Sequence, residues 1–258
     1  MIAIEETTFI NFLCLMRKNY TTNFHCHDKE YLLSVSDSSF FFLQPGLLVS
    51  HHLIRMLDEA DKAGHILEQI SIVPYANPIG LSQNVLGSHL GRFSLNSGIN
   101  FNRNFADLAA AVAVRVTDKL GSDSVKNIEI IRTALEEEID SLKAVGDEAN
   151  LKKILFKIAC QCDIVLDLHC DSNAVMHMYT HTKLWPELSD LARYLESECH
   201  LLATTAGGMP FDDACSCHWN VLSEIFPSVP IPMACQSATV ELRGESDVST
   251  TRSCSSCI

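Results

Sequence analysis

The sequence lacks any long uninterrupted apolar run, and its amino terminus lacks the features of a secretion signal. A membrane-spanning helix needs roughly 18 consecutive apolar residues, and no stretch of the chain approaches that length. The first residues show no basic start, apolar middle and small-residue cleavage site. We therefore expect an intracellular, cytoplasmic protein with no membrane partner.

Basic residues are also few. The 258 residues include 19 Lys and Arg against 32 Asp and Glu, which gives a net charge of −13. A chain this acidic has no electrostatic reason to bind nucleic acid or anionic lipid, so neither is an expected partner. With 47% hydrophobic and 20% charged residues, the composition is that of a packed globular protein.

Disulfides are not expected either, although there are 11 cysteines. An odd number in a cytosolic chain indicates free thiols, most of which we interpret as small buried hydrophobes. The pairs Cys160 and Cys162, and Cys215 and Cys217, could each meet a metal, but packing is the favoured interpretation. The tail segment Cys254-Ser255-Ser256-Cys257 is a weak zinc or redox signal without a second pair. A redox or metal-buffering protein is therefore one alternative function.

Helical and strand-like patterns alternate from Pro45 onwards, which predicts an α/β fold. The predicted helices cover 45–64, 106–120, 125–145, 150–160 and 184–198, and the predicted strands cover 70–74, 163–169, 201–204 and 238–242. A long ordered loop is predicted over 81–104. We interpret 1–44 as an irregular segment, 45–248 as one catalytic domain and 249–258 as a disordered tail.

Polar motifs stand at the ends of predicted strands or in the loop between them, where α/β proteins place chemistry. They cover 102–104, 167–171 and 241–243. Zinc hydrolysis needs a neutral imidazole on the metal, a carboxylate base and cations for an anionic substrate. His169, Glu241 and the pair Arg92 and Arg103 are of the right types for these roles. The alternative is structural: a hydrogen-bonded histidine, and a cross-strand ion pair in Glu-x-Arg.

Taken together, these motifs resemble those of the succinylglutamate desuccinylase and aspartoacylase family, which belongs to the zinc carboxypeptidase clan. The matching segments, in family order, are Val73-Pro74-Tyr75-Ala76-Asn77-Pro78, Gly91-Arg92-Phe93, Asn100-Phe101-Asn102-Arg103-Asn104-Phe105, Asp167-Leu168-His169-Cys170-Asp171 and Thr239-Val240-Glu241-Leu242-Arg243-Gly244. The resemblance implies a three-layer α/β/α sandwich around a mixed, mostly parallel sheet. It also implies a zinc-dependent deacylase that hydrolyses an amide bond of a small N-acyl amino acid or amine.

The resemblance assigns a role to each matching side chain. His169 corresponds to a zinc ligand and Glu241 to the general base. Asn102 and Arg103 correspond to the pair that grips the carboxylate of a small-molecule substrate, and Arg92 is an oxyanion or carboxylate partner. The oligomeric state is not implied.

The sequence departs from the family at both ends. Family members have a His-x-x-Glu zinc motif before the helix that begins here near Pro45, but this chain has Phe40-Phe41-Phe42-Leu43, which cannot ligate zinc. His-x-x-Glu occurs instead at His27-Asp28-Lys29-Glu30 and at His65-Ile66-Leu67-Glu68. Family members usually continue into a small β-rich domain after the strand that carries the base, whereas this sequence ends soon after Val248. One explanation for both differences is a frameshifted or truncated gene product.

Because His169 is the one ligand in its family position, we expect little zinc in the purified protein and hydrolysis near background. A non-catalytic remnant that keeps the carboxylate pocket is the alternative function. The remaining histidines are interpreted as packing residues. Among them, His177 and His181 lie in an alternating segment that predicts a strand with both rings on one face.

Overall fold

The structure is a computed structural model that describes residues 30–35, 44–66 and 68–248. Its strands are β1 (Glu30–Val35), β2 (Gln69–Val73), β3 (Asn84–Val85), β4 (Ser88–His89), β5 (Ile164–Asp171), β6 (Met176–His181), β7 (Cys199–Ala203) and β8 (Gln236–Gly244). Its helices are α1 (Gln44–Lys62), α2 (Pro78–Ser82), α3 (Ala109–Val116), α4 (Ser124–Ser141), α5 (Asp147–Ala159), α6 (Trp185–Tyr194) and α7 (Phe211–Ile225). Among these helices, none is long and apolar enough to cross a membrane.

The core of the described residues is a six-stranded mixed sheet. Its strand order is β2-β1-β5-β8-β6-β7. The neighbouring pairs run parallel except for β6 and β8, which are antiparallel. The small strands β3 and β4 form a separate hairpin inside the predicted loop 81–104. The prediction of a mixed, mostly parallel sheet is confirmed.

Helices cover both faces of the sheet. Successive side chains of a strand point to opposite faces, and in β5 both sets are buried. Val165 packs into the apolar cluster formed with α3, α4, α5 and α7. Leu166 and Leu168 pack into the cluster formed with α1 and α6. Burial on both faces explains the continuous apolar run that predicted this strand, and the three-layer arrangement is confirmed.

Strand β1 corrects the interpretation of residues 1–44 as irregular. Residues 30–35 form a strand that pairs with β2 on one side and β5 on the other. This strand separates β2, which ends at Val73, from β5, which contains His169. The prediction failed because β1 is short and is held by main-chain bonds to partners distant in sequence, which local periodicity cannot reveal. The segments 36–43 and 249–258, and the side chains of His27 and Glu30, lie outside the described residues.

Helix α7 was not predicted from the sequence. It begins directly after Pro210 with Asp212 and Asp213 in its first turn, where carboxylates favour a helix. Its inner face buries Phe211 and Trp219. The acidic first turn was the signal that could have indicated this helix.

The described cysteines are mostly buried, as expected. None of them forms a disulfide within the described residues, and Cys199 on the edge strand β7 is exposed. Burial is the main cause that raises the pKa of both Cys160 and Cys217 to about 12. Thiols with pKa values this high are poor nucleophiles at neutral pH.

We therefore expect Cys199 to react quickly with a thiol reagent in the native protein, while the buried thiols react only after unfolding. The Cys199→Ser variant should lose one fast-reacting thiol in a native-state titration with a disulfide reagent. The Cys160→Ala variant is the matched control and should keep the wild-type fast count. Rapid modification of Cys160 would contradict the packing interpretation and favour a redox function.

Candidate active site

The predicted zinc ligand and the predicted base are neighbours at the carboxyl edge of the sheet. Strands β5 and β8 are parallel, and His169 pairs directly with Glu241 in their register. Directly paired residues on adjacent strands point to the same face, with the strands about 4.8 Å apart. The structure thus brings together two side chains separated by most of the carboxyl-terminal half of the chain.

Strand β6 adds two more side chains to this face. It runs antiparallel to β8, and His177 stands opposite Glu241 while Tyr179 stands opposite Thr239. The rings of His177 and Tyr179 contact edge to face with centroids 5.3 Å apart. The prediction that this alternating segment forms a strand is confirmed.

His169 is tied to a carboxylate on its own strand. Its Nε2 lies 2.7 Å from Oδ2 of Asp167. Residues two apart in a strand share a face, so the spacing Asp-x-His produces this contact. Both side chains are buried, with 2% of His169 and none of Asp167 exposed. The ring orientation of His169 is therefore fixed from within the protein.

Asn102 links His169 to the start of α7. Its Nδ2 lies 3.3 Å from Nε2 of His169, and its Oδ1 accepts a hydrogen bond of 2.8 Å from the backbone N–H of Phe211. The side chain is buried at 6% exposure. Both ends of the amide are thus engaged within the protein. This geometry makes Asn102 a positioning residue, and its predicted contact with substrate stays a prediction.

Arg103 follows Asn102 and is half-buried. Its Nη1 donates to the backbone oxygen of Asn102 at 2.6 Å. Gly208, in the loop between β7 and α7, lies over the arginine stem. A Cβ at Gly208 would stand 3.1 Å from Cδ of Arg103, and its φ of +82° is also unfavourable for other residues. Glycine at this position therefore lets the loop pack against the arginine.

Lys152 of α5 binds the backbone of the loop that carries Asn102 and Arg103. Its Nζ donates to the backbone oxygens of Asn100 at 3.0 Å and Arg103 at 2.5 Å. Burial is the main cause that lowers the pKa of Lys152. A partly buried ammonium needs such acceptors, and here they fix the backbone on either side of Asn102.

The surroundings of His169 are acidic. Burial, and then the nearby charges of Asp213 and Asp167, raise the pKa of Asp212 to about 7. Burial also raises the pKa of Asp213, which accepts a hydrogen bond from the N–H of Ala206. The sequence analysis assigned no role to Asp167 or Asp212. Asp167 lies two residues before His169 on β5, and residues two apart in a strand share a face, so its contact with His169 could have been predicted.

Arg92 is not placed in the site by any side-chain contact within the described residues. Its guanidinium packs over the ring of Phe93, with Cζ 5.8 Å from the centroid. Its backbone oxygen accepts from the N–H of Phe101 at 3.1 Å. The role predicted for Arg92 as an oxyanion or carboxylate partner stays a prediction.

The described residues do not by themselves fit a zinc centre. Among them, no group of three or more His, Cys, Asp or Glu side chains is arranged to hold a metal ion, whereas a catalytic zinc normally has three protein ligands. Nε2 of His169 is engaged with Asp167. His65 and Glu68 precede β2 at the opposite edge of the sheet, so that motif cannot complete the site.

Comparisons with known proteins support the fold. No protein-family model and no curated protein matches the sequence. Among solved structures, a protein assigned to the succinylglutamate desuccinylase/aspartoacylase family from Shewanella amazonensis superposes with a TM-score of 0.68 at 24% identity, covering 85% of this chain and 59% of that one. A second such protein, from Shewanella frigidimarina, gives a TM-score of 0.68 at 21% identity, covering 85% of this chain and 58% of that one.

This chain therefore spans less than three fifths of the length of either structure. The resemblance indicated by the motifs is confirmed at the level of the fold. We conclude that the chain has the fold of the succinylglutamate desuccinylase/aspartoacylase proteins.

Proposed function

We propose that this chain is a deacylase-type hydrolase with a site for a small N-acyl amino acid or amine. The supporting observation is the pairing of His169 with Glu241 at the carboxyl edge of the sheet, with the loop that carries Arg103 attached to the same histidine through Asn102. The solved structures that share this fold are assigned to a deacylase family.

Each side chain has a role that follows from its chemistry. Arg103 binds the substrate carboxylate, because a guanidinium offers paired donors to its two oxygens. Glu241 accepts a proton from the attacking water. Asn102, Asp167 and Lys152 position these groups through the contacts described above. Zinc, as the resemblance implies, would make the water acidic enough to attack an amide.

A second candidate function is a carboxylate-binding protein without hydrolysis. The observation that favours it is the incomplete metal site, since the described residues offer no set of three ligands. Water without a metal keeps a pKa of about 15.7, and a carboxylate alone generates too little hydroxide to cleave an amide. Deacylase activity thus requires ligands from outside the described residues.

Zinc content and hydrolysis separate the two functions. We expect the purified protein to hold little zinc and to hydrolyse N-acyl amino acids near background, because a site lacking ligands binds zinc weakly. A deacylase gains hydrolysis when zinc is added, and Glu241→Gln abolishes that gain. Glu30 begins β1 and pairs with Gln69, at the edge of the sheet away from His169, so Glu30→Ala should leave that gain unchanged.

His65→Ala is the matched control. His65 precedes the amino end of β2, away from His169, and its replacement should leave zinc-dependent hydrolysis unchanged. Carboxylate binding that persists while added zinc produces no hydrolysis would establish the binding protein instead. Absence of both binding and hydrolysis would contradict both functions.

A further inference from the structure

Tyr179 is an exposed aromatic residue in the interior of a helix-covered sheet. Strand β6 lies between β8 and β7, and both neighbours of Tyr179 along the strand, Met178 and Thr180, are buried. Tyr179 itself is 38% exposed. Its partner on β7, Leu201, is exposed too, as is the rest of β7. The described helices therefore leave an opening at this end of the sheet, on the side of Glu241.

The ring is held in a defined position within that opening. It packs edge to face against His177, whose Nδ1 is 2.9 Å from the backbone oxygen of Val175. His177 in turn stands opposite Glu241 on β8. Tyr179 is thus one step along the strand face from the proposed base.

Charges of both signs act on the Tyr179 hydroxyl. Burial, followed by the carboxylates of Glu241 and Asp171, raises its pKa, and Arg103 acts in the opposite direction. The phenol therefore stays protonated at neutral pH and offers an O–H donor. These charges come from β8, from β5 and from the loop after Asn102, so both the proposed base and the proposed carboxylate-binding arginine are within electrostatic range of the hydroxyl.

A donor in this place suits one feature of the substrate class. An N-acyl amino acid has a carboxylate, which Arg103 binds, and an amide whose carbonyl oxygen needs a donor. A free amino acid has the carboxylate but no amide. Arginine would bind both compounds, whereas a neutral donor near the position of the amide would favour the N-acyl compound.

We propose that the Tyr179 hydroxyl donates a hydrogen bond to the acyl oxygen of the bound ligand and makes the site selective for N-acyl over free amino acids. This inference rests on the proposed function and adds a specificity residue to it. The residue is a binding group, and it holds the acyl oxygen near Glu241.

The test is ligand-observed NMR titration of N-acetylalanine and alanine against wild type and Tyr179→Phe. The variant removes the hydroxyl and keeps the ring against His177. We expect the affinity for N-acetylalanine to fall about fivefold, the effect of one neutral hydrogen bond, and the affinity for alanine to stay unchanged. Tyr194→Phe on α6, which packs under the opposite face of the sheet, is the matched control and should change neither affinity.

The outcomes distinguish this inference from the function on which it rests. Unchanged N-acetylalanine binding in Tyr179→Phe would overturn the inference while leaving the proposed function intact. An equal loss for N-acetylalanine and alanine would also overturn it, since selectivity would then lie elsewhere. Absence of binding of either compound to wild type would remove the proposed function and this inference together.

Discussion

Replacing Arg103 by alanine is expected to weaken binding of N-acetylalanine about 10- to 100-fold. A charge-assisted guanidinium–carboxylate contact is typically worth about 1.5–3 kcal/mol, and truncation removes it completely. Arg103→Lys should recover only part of the affinity, because an ammonium lacks the planar paired donors. The measurement is the same NMR titration used for Tyr179, so the two residues can be compared directly.

Arg115→Ala is the matched control for this loss of a cation. Arg115 lies on α3, where it forms exposed ion pairs with Glu137 and Glu138, and its removal should leave ligand affinity unchanged. Gly208 packs against the Arg103 stem, and truncation to alanine removes this contact. An unfolding curve of Arg103→Ala is therefore needed to establish that the variant keeps the native fold. Unchanged affinity in a folded Arg103→Ala variant would remove this residue from the site.

Replacing Asp212 by asparagine is expected to change the pH dependence of stability. The pKa of Asp212 is about 7 in the folded protein against an ordinary value of 3.8. The folded state therefore keeps a proton between these pH values that the unfolded state has lost. Stability from this group is complete below pH 3.8 and is lost as the pH rises through 7. Asparagine is neutral throughout, so the variant avoids that loss.

Relative to Asp212→Asn, the wild type should lose up to about 4 kcal/mol of unfolding free energy between pH 4 and pH 8. The variant should thus be close to wild type in acid and more stable in mild alkali. Urea unfolding at a series of pH values measures this difference. Asp118→Asn at an exposed position is the control and should follow the wild-type profile. Parallel profiles for wild type and Asp212→Asn would show that Asp212 is ionised in the folded protein at neutral pH.

Much of the fold could be read from hydrophobic periodicity. Strand β5 was predicted because parallel strands covered on both faces have continuous apolar runs. Helix α1 was predicted because its apolar residues recur at helical spacing, and it begins within one residue of Pro45. Strand β1 was not predicted, since its pairing with β2 and β5 depends on chain segments far away in sequence.

Some residues of the candidate site could likewise be predicted from the sequence, and others could not. The residue types at Arg103, His169 and Glu241 suggested hydrolytic chemistry, and the order of the motifs suggested a family. The contact between Asp167 and His169 also follows from their spacing in the sequence, because residues two apart in a strand share a face. Neither Tyr179 nor Asp212 could be assigned in advance. Their properties come from which strands and helices pack around them.

The sequence by itself determined the alternation of elements, the apolar strands at the centre of the sheet and the types of side chain at their ends. Tertiary structure alone decided that β5 and β8 are neighbours with His169 opposite Glu241, and that Asn102 joins β5 to the start of α7. The physical reason is the range of the interactions. Helix and strand periodicity depends on residues a few positions apart in the sequence. Strand order, register and burial depend on contacts between segments separated by tens of residues.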